Sequence, residues 1–407
     1  MAQRASIKED QMSTPYNPNI RTTFQPPVME AQRWLKGATF PPDRPLINVS
    51  QAAPIDPPPL ALREALAEAA LNDPSAHLYG PVCGLPDLRE EVAGQWSAAY
   101  GGDITPGNVA ITSGCNQAFC AAVATLAGPG DAVMIPTPWY FNHKMWADMS
   151  GVEARLLPVE ADMLPDPDRA AALMDDRVKA ILLVSPNNPT GAEYPAALLR
   201  AFYDLAKSRG IALIIDETYR DFDSRTGAPH DLFADPDWGD TLIHLYSFSK
   251  AYRLTGHRVG ALIASEERLS EVEKFLDTVT ICPNQLGQRG ALFGMRNLSQ
   301  WLAGERDEIL SRRAAIADGF PALAGWSLLG VGAYFAYVEH PFDLPSDELA
   351  RKLVSEASLL MLPGTMFAPI LAKGGDGRAE RQLRIAFANV DQNGIAQMFD
   401  RLREFSG

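Results

Sequence analysis

A lysine flanked by hydroxyl groups and followed by an arginine is the most chemically distinctive feature of the chain. Lys250 ends the sequence Ser247-Phe-Ser249-Lys250, which comes directly after the apolar run 243–246, and Arg258 follows in the same segment. A guanidinium can hold a phosphate through two hydrogen bonds, and a lysine amine can act as a nucleophile. The pair therefore suits covalent attachment of a phosphorylated aldehyde. A lone lysine here would more often be a solvated loop charge, so the interpretation needs support from other residues.

Several other polar residues also follow short apolar runs. The runs cover residues 109–112, 132–135, 180–184, 211–215, 243–246 and 259–264. The candidate residues that follow them are Ser113 and Gly114, Tyr140, Asn188, Asp216 and Lys250. Ligands of open α/β sheets bind at the carboxyl ends of the strands. We therefore expect these residues to share one site.

The same runs predict the fold class. They are nearly continuous in apolar residues, which is typical of strands buried on both faces of a parallel sheet. Helical patterns at 116–126, 195–208 and 268–279 alternate with them and predict an α/β domain. Strand-like segments at 46–50, 332–338 and 382–387, with helical patterns over 286–320, predict a smaller α+β domain. We expect an N-terminal arm and part of the small domain at 1–54, the large domain at 55–299 and the small C-terminal domain at 300–407.

Composition narrows the possible functions. The chain has 407 residues and a net charge of −14, which argues against nucleic acid or an anionic membrane as a partner. The polar segment 1–27 lacks the apolar core of a secretory signal, and the uncharged stretch 104–130 is interrupted by proline, glycine and amide residues. Cys83, Cys115, Cys120 and Cys282 form no CxxC pair. We therefore expect no disulfide, no metal site and a reducing, cytoplasmic location.

The motifs of three other α/β enzyme classes are absent from the sequence. No G-x-G-x-x-G opens a helix, and neither G-x-x-x-x-G-K-[ST] nor G-x-S-x-G occurs. These absences argue against a nicotinamide dehydrogenase, a P-loop enzyme and an α/β-hydrolase.

The segment around Lys250 resembles the pyridoxal-phosphate lysine motif of class I/II aminotransferases, the fold-type I group. Asp216-x-x-Tyr219, Asn188-Pro-x-Gly and Tyr79-x-x-x-x-Gly84 match further motifs of that family, in order, over roughly residues 47–387. The resemblance implies a mostly parallel seven-stranded sheet covered by helices, with a smaller α+β domain from both chain ends. It also implies a pyridoxal 5′-phosphate enzyme that moves an amino group from an α-amino acid to a 2-oxo acid by a ping-pong mechanism.

The resemblance gives each candidate residue a role toward the cofactor. Lys250 attaches it, Asp216 faces its ring nitrogen, and Asn188 and Tyr219 face its ring oxygen. An aromatic residue, Tyr140 or its neighbour Trp139, stacks on the ring. The phosphate is held by the backbone amides and side chains of Gly114, Cys115, Asn116, Ser247, Ser249 and Arg258. Without the other motifs, Asp216 would be read as a helix N-cap and the 113–116 loop as a simple turn.

Three further residues concern the substrate and a second subunit. Arg384, inside an apolar run, is implied to hold the α-carboxylate of the substrate beside Asn188. In the family that the chain resembles, the stretch that contains Ala52 usually carries a glycine near this position. The methyl group of Ala52 would therefore narrow the substrate pocket. Tyr79 is implied to reach the phosphate of a neighbouring subunit, which predicts a homodimer with shared sites; otherwise it is a surface tyrosine.

The choice of amino donor rests on fewer residues. The segment 278–288 contains no arginine that could bind a second carboxylate, whereas Tyr140, Tyr334, Phe335 and Phe367 are expected near the pocket. We therefore expect a neutral, apolar or aromatic donor. The same residues would also serve a C–S β-lyase or other α-carbon chemistry, and a non-catalytic effector-sensing domain is the remaining alternative.

Overall fold

The computed structural model describes residues 15–407. Its strands are β1 (Ile47–Asn48), β2 (Val109–Thr112), β3 (Ala132–Thr137), β4 (Glu153–Pro158), β5 (Val178–Val184), β6 (Ala212–Asp216), β7 (Leu242–Ser247), β8 (Gly260–Ile263), β9 (Ser327–Gly332), β10 (Phe335–Glu339), β11 (Leu359–Leu360), β12 (Leu362–Pro363) and β13 (Gln382–Ala386).

The α-helices surround these strands. They are α1 (Pro18–Thr22), α2 (Pro27–Trp34), α3 (Leu60–Asn72), α4 (Pro86–Tyr100), α5 (Cys115–Ala124), α6 (Phe141–Ser150), α7 (Pro167–Leu173), α8 (Ala196–Arg209), α9 (Trp238–Thr241), α10 (Phe248–Ala251), α11 (Glu266–Thr280), α12 (Gln285–Asn297), α13 (Ser299–Gly319), α14 (Ser346–Ala357) and α15 (Gln392–Glu404).

A seven-stranded sheet forms the centre of the molecule, in the order β2-β8-β7-β6-β5-β3-β4. The strands β4, β3, β5, β6 and β7 run parallel, and β8 is antiparallel to both β2 and β7. Every residue of β2, β6, β7 and β8 is buried, as expected for strands covered by helices on both faces. The predicted α/β class with a mostly parallel seven-stranded sheet is confirmed.

The edge strand β4 has no counterpart among the apolar runs of the sequence. Most of its residues are only half-buried, and it carries charged Glu153 and Arg155, which pair with each other at 2.6 Å. An edge strand has one side open to solvent, so its sequence need not be continuously apolar.

A smaller unit combines residues from both ends of the chain. Its antiparallel sheet has the order β12-β13-β10-β9, and β1 pairs in parallel with β11, so that Ile47 faces Leu359. An apolar cluster of its own fills this unit, built largely from α13, α14, α15 and the inner face of the small sheet. The expected domain boundaries after residues 54 and 299 stay a prediction, and the first 14 residues of the expected arm lie outside the described residues.

Over residues 15–407, none of the helices is both long and apolar enough to pass through a bilayer. All four cysteines are free thiols.

Candidate active site

A cavity of about 430 Å³ lies at the carboxyl ends of the central strands. Its lining includes most of the residues singled out from the sequence: Ala52, Cys115, Asn116, Tyr140, Asn188, Asp216, Tyr219, Ser247, Ser249, Lys250, Arg258 and Arg384. Most of them lie at or directly after the ends of β2, β3, β5, β6 and β7, because strands that run in the same direction present their carboxyl ends at one edge of the sheet. Gly114 adjoins the cavity through Cys115, whereas Tyr79 is not part of its lining.

Lys250 lies at the centre of this group, on the short helix α10 that begins directly after β7. Its Nζ donates to the carbonyl oxygen of Ala52 at 2.7 Å. Burial, together with the positive charges of Arg258 and Arg384, lowers the pKa of Lys250 to about 8. A substantial fraction of the amine is therefore neutral near pH 8 and available as a nucleophile or base.

Asp216, the last residue of β6, is held as a carboxylate. His143 Nε2 lies 3.3 Å from its Oδ2, and the backbone N–H of Thr218 donates to its Oδ1 at 2.9 Å. Burial alone would raise the pKa of Asp216, but the contacts from His143 and Thr218 outweigh burial and lower that pKa. The cavity therefore contains a fixed negative charge that can pair with a protonated ring nitrogen.

His143 was missed in the reading of the sequence. It lies on α6, one turn after Tyr140, and its buried ring packs edge-on against Tyr140 with centroids 4.9 Å apart. Neither of its ring nitrogens makes a well-directed hydrogen bond among the described residues, so Nε2 acts on Asp216 through proximity. The available signal was its position three residues after Tyr140, the residue that precedes α6.

A second buried polar cluster lies beneath the segment that carries Asp216 and Tyr219. The carboxylate of Glu217 accepts hydrogen bonds from Tyr100 and from His244, the latter at 2.9 Å, and lies 3.6 Å from His230. The guanidinium of Arg220 lies nearby and donates to the Tyr100 hydroxyl at 3.1 Å. Glu217 with the two histidines has the composition of a metal site, but this carboxylate is already satisfied by hydrogen bonds and Arg220 supplies the positive charge. We interpret the cluster as a support for the 216–220 segment.

The loop between β2 and α5 forms a cradle for an anion. The N–H groups of Cys115 and Asn116 are in the first turn of α5 and have no partner inside the helix. Gly114 differs from the expectation, because its N–H donates to the Thr112 carbonyl oxygen at 2.8 Å. Its contribution is conformational: it has φ 87°, and a Cβ at this position would overlap the guanidinium of Arg258.

Hydroxyl groups complete the cradle. Arg258 Nη1 lies 3.4 Å from Ser249 Oγ and donates to the Thr255 carbonyl oxygen at 3.1 Å. The Ser247 hydroxyl accepts from the backbone N–H of Ser249 at 3.3 Å. The cradle thus offers two helix amides, two hydroxyls and one guanidinium, which suits a phosphate dianion. Cys115 takes part through its backbone, since burial and the Asp216 carboxylate raise the pKa of its thiol and keep it protonated.

Arg384, on β13, forms the opposite wall of the cavity and is only 1% exposed. Its Nη1 donates to Asn188 Oδ1 at 2.9 Å, and its Nη2 donates to the carbonyl oxygen of Ser50. Its Nε is buried without a hydrogen-bond partner in the described part of the chain. Burial lowers the pKa of Arg384 to about 10, so it remains a cation at neutral pH. This arrangement is suited to a carboxylate ligand.

Three phenylalanine rings surround this arginine, and one of them, Phe141, also lines the cavity. The rings of Phe141, Phe335 and Phe367 lie 5.9, 5.1 and 4.8 Å from its guanidinium carbon. Tyr334 packs on Tyr219 with centroids 5.3 Å apart. Of the four aromatic residues expected near the pocket, only Tyr140 belongs to its lining.

The two candidates for ring stacking occupy different positions. Tyr140 lines the cavity, whereas Trp139 is buried and its Nε1 donates to the Met366 carbonyl oxygen at 3.3 Å. Tyr219 also lines the cavity, and burial raises the pKa of its phenol, which stays a hydrogen-bond donor. Tyr140 is therefore the better placed of the two stacking candidates.

The helix α2 closes one side of the cavity and was not placed from the sequence. Pro26, Val28, Met29 and Gln32 belong to the lining. Trp34 at the end of this helix packs against Arg351 of α14, with 4.5 Å between the guanidinium carbon and the ring centroid. These contacts join segments that are far apart in the chain, so local sequence patterns give no sign of them.

A family profile and several known proteins match this chain. The profile of the family described as Aminotransferase class I and II matches residues 44–402. The aromatic aminotransferase ISS1 of Arabidopsis thaliana is 30% identical over 359 residues, 86% of each chain. Transaminase BacF of Bacillus subtilis is 30% identical over 375 residues, 88% of this chain and 87% of that protein.

Solved structures extend the similarity to the whole fold. An aspartate aminotransferase from Thermus thermophilus with maleate has a TM-score of 0.86 at 22% identity, covering 96% of this chain and 99% of that chain. A substrate-bound structure of BacF has a TM-score of 0.84 at 25% identity, covering 96% and 98%.

Proposed function

The chain belongs to the class I and II aminotransferases, and on that premise we propose how its own residues carry out the reaction and which donor it uses. It is a pyridoxal-phosphate-dependent transaminase that acts on an amino acid and a 2-oxo acid. When bound, the cofactor supplies an aldehyde that carries the amino group and a ring that takes up the electron pair of the substrate α-carbon. The observation that supports the proposed residue roles is that one cavity contains Lys250, Asp216, the anion cradle and Arg384 together.

Lys250 has two roles in this proposal. It attaches the cofactor covalently between turnovers, and after release it moves the proton from the substrate α-carbon. A lysine must be neutral for both roles, and burial beside Arg258 and Arg384 lowers its pKa to about 8. A positioned base of this kind contributes about 10²–10⁴-fold to the rate.

Asp216, Asn188 and Tyr219 adjust the cofactor ring. The Asp216 carboxylate, oriented by His143 and Thr218, keeps the ring nitrogen protonated and so strengthens its electron-withdrawing effect. Tyr219 and the amide nitrogen of Asn188 donate to the ring oxygen. Asn188 also accepts from Arg384 at 2.9 Å, which links the cofactor side of the cavity to the carboxylate side.

The donor is proposed to be a neutral amino acid. The named relatives include both aromatic and aspartate aminotransferases, so relatedness does not select between these classes. The cations in the cavity lining are Lys250, Arg258 and Arg384, each of which already has a role. The other polar lining residues include Gln32, Gln51, Asn116 and Asn142, which carry no charge. A second substrate carboxylate would therefore be left unpaired in this subunit.

The active form is proposed to be a homodimer. Tyr79 is 81% exposed and lies outside the cavity of its own chain. An exposed tyrosine next to further exposed apolar residues favours a contact with a second copy.

We also propose a cytoplasmic location, which the four free thiols support.

A donor screen tests this function. Purified cofactor-loaded protein is mixed with phenylalanine, methionine, kynurenine or aspartate, and conversion of the cofactor from its aldehyde to its amine form is followed by absorbance. We expect the neutral donors to convert it and Lys250→Ala protein to remain unchanged. Conversion by aspartate alone would refute the neutral donor, and release of ammonia and pyruvate from a thioether amino acid without an acceptor would identify a C–S lyase instead.

A further inference from the structure

A glutamine side chain braces the anion cradle from behind. Gln117 lies in the first turn of α5, and its Oε1 accepts from the backbone N–H of Ser113 at 2.6 Å. Its Nε2 donates to the hydroxyl of Thr280, the last residue of α11. Both ends of the carboxamide are therefore engaged. Gln117 links the cradle loop to the end of a helix that supplies none of the cavity lining.

The chain directly after Thr280 is strained and exposed. Ile281 has φ 68° and ψ −59°, a region that β-branched residues rarely adopt. Its side chain is 44% exposed, and that of Val279 is 59% exposed. Strain of this kind costs about 1–3 kcal/mol and persists where surrounding contacts fix the backbone.

This strained segment adjoins Tyr79. Cys282 Sγ accepts from the backbone N–H of Gly80 at 3.4 Å, which brings the two segments together. Leu78, Tyr79, Val279 and Ile281 are all exposed and form what we call the 79–281 patch. A continuous path of contacts runs from this patch through Thr280 and Gln117 to the cradle loop at Ser113.

We propose that Gln117 is a positioning residue that couples cofactor binding to the docking of a second copy of this chain on the 79–281 patch. The inference rests on the proposed homodimer. Burial of Val279 and Ile281 by the second copy fixes the end of α11, which holds Thr280 against Gln117 and Gln117 against the cradle loop. A coupling between two binding equilibria is reciprocal, so a filled cradle strengthens the dimer to the same extent.

The dissociation constant of the dimer, measured with and without saturating pyridoxal phosphate, tests the coupling without reference to activity. In the unmodified protein we expect bound cofactor to tighten the dimer, that is, to lower its dissociation constant by about 5- to 150-fold, the usual range of such couplings. Thr280→Val removes the hydroxyl and keeps the side-chain shape, and Gln117→Ala removes the brace. Each should reduce the tightening at least about threefold relative to the unmodified protein, and the tightening that remains comes from the direct contact of Tyr79 with the neighbouring site. Circular dichroism confirms that each variant is folded.

Thr278→Val is the matched control. Thr278 is an exposed threonine on the same helix, and its hydroxyl donates to the Lys274 carbonyl oxygen at 2.8 Å. It should retain the full cofactor effect. Full tightening in both Thr280→Val and Gln117→Ala, or no tightening in the unmodified dimer, overturns the coupling while leaving the dimer intact. A protein that stays monomeric with bound cofactor overturns the proposed homodimer itself, and the coupling with it.

Discussion

Arg384 is almost completely buried, and its Nε has no hydrogen-bond partner among the residues that the structure describes, an arrangement that costs free energy unless a ligand completes it. Its two terminal nitrogens are held by Asn188 and Ser50, and three phenylalanine rings surround the guanidinium. These contacts fix its orientation before any substrate arrives. Pre-ordered donors of this kind favour a planar carboxylate, which accepts two parallel hydrogen bonds.

Replacing Arg384 with lysine is expected to weaken substrate use without loss of the cofactor. An ammonium group keeps the charge but loses the planar pair of donors. We expect kcat/KM for the preferred amino acid to fall about 10²–10³-fold, as for other buried hydrogen-bonded charges. Steady-state kinetics and cofactor absorbance measure the two effects. Arg209→Lys, at the exposed C-terminal end of α8, is the control, and a comparable loss in that variant would contradict the role of Arg384.

The lowered pKa of Lys250 predicts how cofactor attachment depends on pH. Only the neutral amine attacks an aldehyde, and its pKa is about 8 in the folded protein. The rate of covalent attachment of pyridoxal phosphate to cofactor-free protein should therefore rise with pH and level off above about pH 8. Stopped-flow absorbance across this range measures it. A rate that continues to rise to about pH 10 would show a lysine with its ordinary pKa.

At the scale of the elements, the buried strands could be predicted from the sequence. The run at 211–215 corresponds to β6 at 212–216, and the helical pattern at 195–208 corresponds to α8 at 196–209. Both signals are local, because continuous apolar residues and helical periodicity are properties of short segments. The edge strand β4 and the helix α2 were missed, since each owes its place to contacts with distant parts of the chain.

The difference between local signals and contacts made by distant parts of the chain also applies to the residues of the candidate site. Lys250, Asp216 and Asn188 could be found because each follows a recognisable strand. His143 could not, because its role depends on a contact with Asp216 on another strand. The path from Ser113 through Gln117 to Thr280 joins positions far apart in the chain and follows from no local pattern.

The turn before α5 gives a prediction at this scale. Gly114→Ala should weaken cofactor binding about 10- to 100-fold, because the added methyl displaces the Arg258 guanidinium and removes a charge-assisted hydrogen bond. Fluorescence titration measures the cofactor dissociation constant. Gly304→Ala, within α13 and with open space around the added carbon, should leave the affinity unchanged and stabilise the fold by about 0.5–1 kcal/mol. Equal affinities for the two variants would refute the cradle geometry.

At the scale of the whole molecule, the proposed attachment lysine Lys250, ring carboxylate Asp216 and substrate arginine Arg384 line one cavity within a single chain. Tyr79 is the exception among the predicted residues, because it lies on the surface in the 79–281 patch. If a second copy covers this patch, each site depends on two chains. A two-fold symmetric dimer has one interface and two equivalent sites, so a site that takes residues from both chains can be complete in a mixed dimer.

Mixing two inactive variants tests whether sites are shared between chains. Lys250→Ala and Tyr79→Ala proteins are unfolded together, refolded and assayed at limiting pyridoxal phosphate, where Tyr79→Ala sites remain empty. Half of the randomly formed dimers are mixed, and each has one site with both residues intact, so we expect about a quarter of the wild-type activity. A mixture of Lys250→Ala with Arg258→Ala is the control, because both residues line the cavity of a single chain and no intact site can form. No recovery in the first mixture, with mixed dimers present, would show that Tyr79 does not act on the neighbouring site.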